Sequence, residues 1–155
     1  MTATVISASS WGLLIEEAAR EVFQIMLGSG LQPEAEITDT GANVSAVIGF
    51  AGQLRGLLTV RCNRSSALAI AAHMLGVTPA AAENEMNDAL GELCNMIAGG
   101  FKNKLEQQGV ECLISIPTVV AGSDYKLHTL VSGLPIELYA RFEGGALAIS
   151  FQIQP

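Results

Sequence analysis

The stretch NDALGELCNMIAGGFKNKL, Asn87 to Leu105, carries its apolar residues at the period of an α-helix. At about 100° per residue, Met86, Leu90, Leu93, Ile97, Phe101 and Leu105 fall on one stripe, while Asp88, Glu92, Asn95, Gly99 and Lys102 gather on the other side. The stripe predicts a core-facing helix. The polar side is unusual, because a solvated face favours Lys, Glu and Ala, and a glycine inside a helix costs about 1 kcal/mol relative to alanine. Glu92 and Asn95 stand three apart, so they are neighbours on the helix surface and can enter one pocket of a partner together. Gly91 and Gly99 would then remove side chains that keep another surface away. On spacing alone the better-supported reading is a plain solvated face, with the two glycines admitting a neighbouring helix of the same protein.

Outward from this helix the elements alternate in blocks. A first helix is predicted from about Ser9 to Leu27, with Trp11, Ile15, Ala18, Val22 and Ile25 on its apolar face and Gly28 as its stop. Strands are predicted at Glu34 to Thr40, Val44 to Phe50 and Leu54 to Cys62, the last two joined as a hairpin. A second helix, Ser65 to Leu75, starts behind the capping residues Asn63 and Ser65. The third, Ala82 to Gln107, is closed by Gly109, and strands follow at Glu111 to Ala121, Pro135 to Phe142 and Ala146 to Gln152. Few strands are separated by crossover helices. The predicted class is therefore α+β in a single domain over residues 1–155: a mostly antiparallel sheet with long helices packed on one face.

The two halves resemble each other. Laying Glu17 to Gly30 over Asp88 to Gly100 pairs Glu17 with Asp88, Glu21 with Glu92, Gln24 with Asn95 and Gly28 with Gly99, and each helix precedes strands with a glycine-containing hairpin turn. Pseudo-duplicated helix-strand units are the economical reading. Arg20 stands where the third helix has Gly91, and Ala46, at the same offset, stands where Pro117 would be. A long cation at the position of close approach predicts that Glu21 and Gln24 form a degenerate relic of a second site.

Composition excludes several classes of function. The 155 residues are 50% hydrophobic and 15% charged, which is enough apolar material for a filled core. With a net charge of −7 and eight unclustered Lys and Arg, a nucleic-acid partner is not expected. The first twenty residues carry no basic stretch ahead of an apolar run and soon meet Glu16 and Glu17, so neither a signal peptide nor a membrane span is predicted, and the expected location is the cytoplasm. Cys62, Cys94 and Cys112 lie far apart and read as buried free thiols. The acceptor patterns at Asn43 and Asn63 lack a secretion route and read as chance matches. His73 and His128 are too few and too separated for a metal cluster, and Met74, Met86 and Met96 fit packing positions. No cysteine-phosphatase loop, DxDxT motif or GxxxxGKS loop occurs.

The run Asp88, Glu92, Asn95, followed by Pro117, resembles the D/S-x3-E-x2-N…P signature of the CheC/CheX/FliY family of chemotaxis phosphatases. AVIGFAGQLRGLLTVRC (from Ala46), ALAIAAHMLG (from Ala67) and GELCNMIAGGFKNKL (from Gly91) are similar to segments of that family in the same order. One active helix suits the CheX type. The resemblance implies hydrolysis of the aspartyl phosphate on a CheY-type receiver domain, with Asn95 orienting water, Glu92 anchoring on the receiver's lysine, and Asp88, Gly91, Gly99 and Lys102 at the contact, supported by Pro117. It also implies no cofactor bound by this chain, Mg2+ in the receiver, and a homodimer joined sheet edge to sheet edge, with which a mean hydropathy of +0.40 agrees. The competing expectation is a non-catalytic module that docks on receivers or flagellar-switch components with the same helix face.

Overall fold

A computed structural model describes residues 8–28, 30–34, 44–122, 125, 133 and 135–154. The first helix, α1 (Ala8–Leu27), leads to a short strand β1 (Gln32–Glu34) and the hairpin β2 (Val44–Gly52) and β3 (Gly56–Cys62). Next come α2 (Arg64–Leu75), a 3-10 turn (Ala80–Glu85) and α3 (Met86–Gln107). The chain ends in β4 (Cys112–Ile114), β5 (Thr118–Ala121) and the hairpin β6 (Pro135–Phe142) and β7 (Gly145–Ile153). Every strand pairing is antiparallel, in the order β1-β6-β7-β3-β2-β4, with β5 also on β2. The α+β class expected from the sequence is the one observed.

The sheet carries the duplication. If α1-β1-β2-β3 is exchanged for α3-β4/β5-β6-β7, the order becomes β4-β2-β3-β7-β6-β1, which is the same path read backwards. The pseudo-dyad therefore runs between β3 and β7, and α2 has no counterpart. The offset between the helices does not survive into the strands. Ala46 lies in β2, buried and in register with Val119, whereas Pro117 lies between β4 and β5, whose topological partner is β1. α3 runs on past Gly99 to Gln107, whereas α1 stops at Leu27, ahead of Gly28, and these unequal helix lengths break the fixed offset.

Local chemistry sets the helix ends. The side chain of Asn63 accepts a hydrogen bond of 2.8 Å from the Ser66 amide and caps α2. Beyond α3, Gly109 takes a left-handed φ of +82°, and the Val110 amide donates back to the Leu105 carbonyl at 2.9 Å.

The core stripe of α3 is as expected: Met86, Leu90, Leu93, Ile97, Phe101 and Leu105 are all buried. Phe101 meets Phe50 of β2 and Phe151 of β7 at ring-centroid distances of 5.7 and 5.2 Å, which fixes α3 across the centre of the sheet. On α1, Phe23 packs on Phe142 of β6 at 5.3 Å. Ile25 departs from expectation and is 76% exposed. The buried face of α1 runs through Ile15, Ala18, Ala19, Val22, Phe23 and Leu27 instead.

Strand boundaries differ as well. Glu111 to Ala121 is not one strand but β4 and β5, separated at Ser115–Pro117; β2 runs on to Gly52 and β3 starts at Gly56; and of the expected strand Glu34 to Thr40 only Glu34, the end of β1, is among the described residues. Among the described residues no single helix is long and apolar enough to cross a membrane.

Candidate functional site

The α3 helix presents Asp88 and Glu92 to solvent, with Asn95 half-buried beside them. Among the described residues neither Glu92 nor Asn95 has a side-chain hydrogen bond or ion pair. A carboxylate and a carboxamide side by side on a helix, neither paired among the described residues, offer groups that an outside partner could engage: the acid accepts from a cation, and the amide both donates and accepts. Asp88 sits in the first turn of α3, where the helix dipole favours a negative charge.

The three glycines of this helix do different work. A Cβ added at Gly99 meets no atom within 4 Å, so Gly99 leaves the face open. A Cβ at Gly91 would stand 3.2 Å from Val119 Cγ2 and 3.7 Å from Pro117 Cγ. Gly91 is buried and is not part of the outward face, contrary to the sequence expectation; its missing side chain admits the β4–β5 segment of the same chain. Close packing on the neighbouring helix falls to Gly100, where a Cβ would come within 3.3 Å of Ala18 Cβ of α1. Lys102 pairs with Glu106 one turn on, and that hydrogen bond holds its ammonium above the usual lysine range.

Pro117 belongs to a break in the edge strand. Pairing of β4 with β2 ends at Ile114 opposite Phe50, and pairing of β5 resumes at Thr118 opposite Val47. Ser115, Ile116 and Pro117 thus face only Ile48 and Gly49, which is a β-bulge. Ser115 ties it down: its amide donates to the Gly49 carbonyl and its hydroxyl accepts from the Gly49 amide, both at 2.9 Å. Pro117 is thereby pressed into the notch left by Gly91, one helical turn from Asn95.

On α1 the matching residues are differently occupied. Glu21, the counterpart of Glu92, accepts a 2.8 Å hydrogen bond from Lys104 of α3, whose ammonium also lies 3.7 Å from Glu17. The bond to Glu21 chiefly raises the Lys104 pKa. Arg20 pairs with Glu16 at 2.8 Å. Lys104 is a residue the sequence reading did not single out, since nothing local marks an ion pair between two helices so far apart in the chain. Between α1, β1 and β6 lies a cavity of about 180 Å³, lined in part by Ala19, Arg20, Pro33 and Tyr139. In the other half, Gly91 lets the edge strand close on its helix.

The three cysteines are free and buried, and desolvation raises the Cys62 and Cys94 thiols to about 12. His73 is exposed and bonds the Glu143 carbonyl at 3.2 Å, while His128 and Asn43 lie outside the described residues. Met86 is buried, and Met74 and Met96 pack against the core. Among the described residues no three His, Cys, Asp or Glu side chains converge where they could hold a metal ion.

The sequence and the fold both find relatives. Residues 44–138 match the family model described as chemotaxis phosphatase CheX. A protein of Thermotoga maritima described as CheY-P phosphatase CheX is 30% identical over 129 residues, spanning 81% of this chain and 83% of its own. The chemotaxis protein CheX from Vibrio vulnificus superposes with a TM-score of 0.83 at 26% identity, over 96% of this chain and 99% of that one. The same fold is found at 21% identity, with a TM-score of 0.72 over 94% and 98% of the two chains, in the CheX–CheY–BeF3–Mg complex from Borrelia burgdorferi. With Glu92, Asn95 and Pro117 all inside the matched region and the fold shared over nearly the whole chain, the chain belongs to the CheX family of chemotaxis phosphatases.

Proposed function

We propose that this chain hydrolyses the aspartyl phosphate of a CheY-type receiver domain and so ends a chemotaxis or other two-component signal. The observation that carries the proposal is the uncommitted pair Glu92 and Asn95 on a face left open at Gly99, in a family whose Thermotoga maritima member is a CheY-P phosphatase. Phosphoryl transfer to water needs mainly positioning and charge stabilisation, and the receiver supplies its own Mg2+ and lysine. Glu92 pairs with that lysine and sets the register of docking. The Asn95 carboxamide oxygen accepts a hydrogen bond from the attacking water while remaining neutral beside the phosphoryl group. The water oxygen bonds to phosphorus, the acyl phosphate bond breaks, and the receiver regains its carboxylate. The place of action is the cytoplasm, where receivers are phosphorylated, and the working form is a homodimer.

Decay of a phosphorylated receiver with and without the protein tests the proposal. Faster decay is expected, and Asn95→Asp should lower the rate by on the order of 10²-fold by placing a carboxylate where a neutral amide is needed. Tight binding without acceleration by any receiver of the same genome would instead make the chain a docking module. Sedimentation at micromolar concentration checks the dimer, and a monomer would remove it.

A further inference from the structure

Ile116 is the most exposed large apolar side chain among the described residues, at 85%. It occupies the bulge between β4 and β5, and the Ser115 hydroxyl donates to its carbonyl at 3.0 Å. An extra residue in an edge strand re-aims a side chain, and bulges are found preferentially beside functional sites. Here the bulge is anchored on both sides. Ser115 fixes it to Gly49 of β2, and Pro117, the next residue after Ile116, rests against Gly91 of α3. Ile116 is therefore anchored one residue from Pro117, which packs on Gly91 immediately before Glu92 in α3, so its exposure is not that of a loose loop. Burying an isoleucine against a partner removes apolar surface from water, at little ordering cost when the backbone is already fixed.

We propose that Ile116 is an apolar docking residue for the phosphorylated receiver, extending the acid and amide of α3 into a two-part contact surface. This rests on the receiver-phosphatase reading of α3. A second copy of the chain is the less suitable occupant at this point. The bulge interrupts the edge, and Pro117 has no amide hydrogen to offer an added strand. Leu113, exposed at 74% on the same edge, lies in β4 away from Pro117 and serves as the internal control.

The test uses full-length wild type, Ile116→Ala and Leu113→Ala with one phosphorylated receiver, reading KM, kcat and sedimentation. Ile116→Ala should raise KM about tenfold and leave kcat at saturation unchanged, with the Leu113→Ala KM within about twofold of wild type. An unchanged KM in Ile116→Ala overturns the proposal. So does a change in assembly that accounts for the KM shift, because the occupant is then another copy. Binding to the beryllofluoride-charged receiver separates the two claims. If wild type binds but does not hydrolyse and Ile116→Ala binds about tenfold more weakly, the docking role stands and the phosphatase reading falls. If wild type hydrolyses and Ile116→Ala is normal in both assays, only the docking role falls.

Discussion

The two halves of the molecule start from the same plan and treat it oppositely. In one, α1 carries Glu21 and Gln24, but Lys104 reaches across to take Glu21 and Arg20 folds onto Glu16. In the other, α3 carries Glu92 and Asn95 with no partner among the described residues, and Gly91 draws the β4–β5 bulge against the helix. A carboxylate already paired has spent its attraction for an incoming cation, whereas an unpaired one beside an open glycine has not. Duplication thus supplied two helix faces, and neighbouring residues committed one to holding the protein together and left the other free for a partner. Lys104 itself belongs to α3, so the same helix that leaves Glu92 exposed closes off Glu21.

The largest expected difference between the halves is catalytic. Asn95→Ala should lose about 10²-fold or more in receiver dephosphorylation, whereas Gln24→Ala should keep the wild-type rate within about twofold. Phosphate release under matched conditions checks both, and comparable losses would mean two working helices.

The glycines sharpen the contrast at the level of packing. Gly91→Ala gains about 1 kcal/mol of helix propensity, but it forces a methyl group to 3.2 Å from Val119 in a site where overpacking costs about 1–3 kcal/mol. A net loss of up to about 2 kcal/mol is expected in denaturant unfolding, with reduced activity as Pro117 is displaced. Gly99→Ala meets nothing and should be more stable by about 1 kcal/mol, while docking the receiver less well. Equal stability changes in the two variants would contradict the assigned packing.

Smaller effects attach to the Lys104 bridge. As an ion pair with largely exposed acids, it should contribute about 0–1 kcal/mol, so Lys104→Met should barely shift unfolding and should not create activity on α1. The folded pKa of Lys104 is raised, so its contribution is complete below the ordinary lysine value of 10.5 and disappears as pH climbs through the higher folded value. The thiols act in a neighbouring window. Cys62 and Cys94 stay protonated in the fold up to about 12, against 9.0 when free, so the stability they confer is intact below pH 9 and lost between pH 9 and about 12. Unfolding midpoints across that range, compared with a Cys62→Ala, Cys94→Ala double variant, should show a shallower alkaline decline in the variant.

What could be read from the chain alone follows the range of the physics involved. The α3 stripe, its polar face and the Asn63 cap of α2 are local patterns, and each is seen where the sequence places it, whereas Ser65, read with Asn63 as a capping residue, lies inside α2. Ile25 continues the three- and four-residue spacing past the point where Phe23 and Leu27 take over the contact, so its exposure is not visible in the sequence. The role of Gly91 depends on which segment lies over it, and that segment is Pro117 to Val119, distant in sequence. A proline inside an apolar run does signal an interrupted edge strand, so the division into β4 and β5 was accessible, whereas the Ser115 anchor on Gly49 was not. Lys104 and Glu21 meet only because Gly100 lets α1 and α3 approach closely.

The most direct measurement is a calorimetric titration of the chain with a receiver held in its phosphorylated form by beryllofluoride, repeated for Glu92→Ala and Glu21→Ala. One working face predicts one receiver per chain, binding weakened at least tenfold by Glu92→Ala, and binding unchanged by Glu21→Ala. Two receivers per chain, or a Glu92→Ala variant that binds as wild type does, would contradict it.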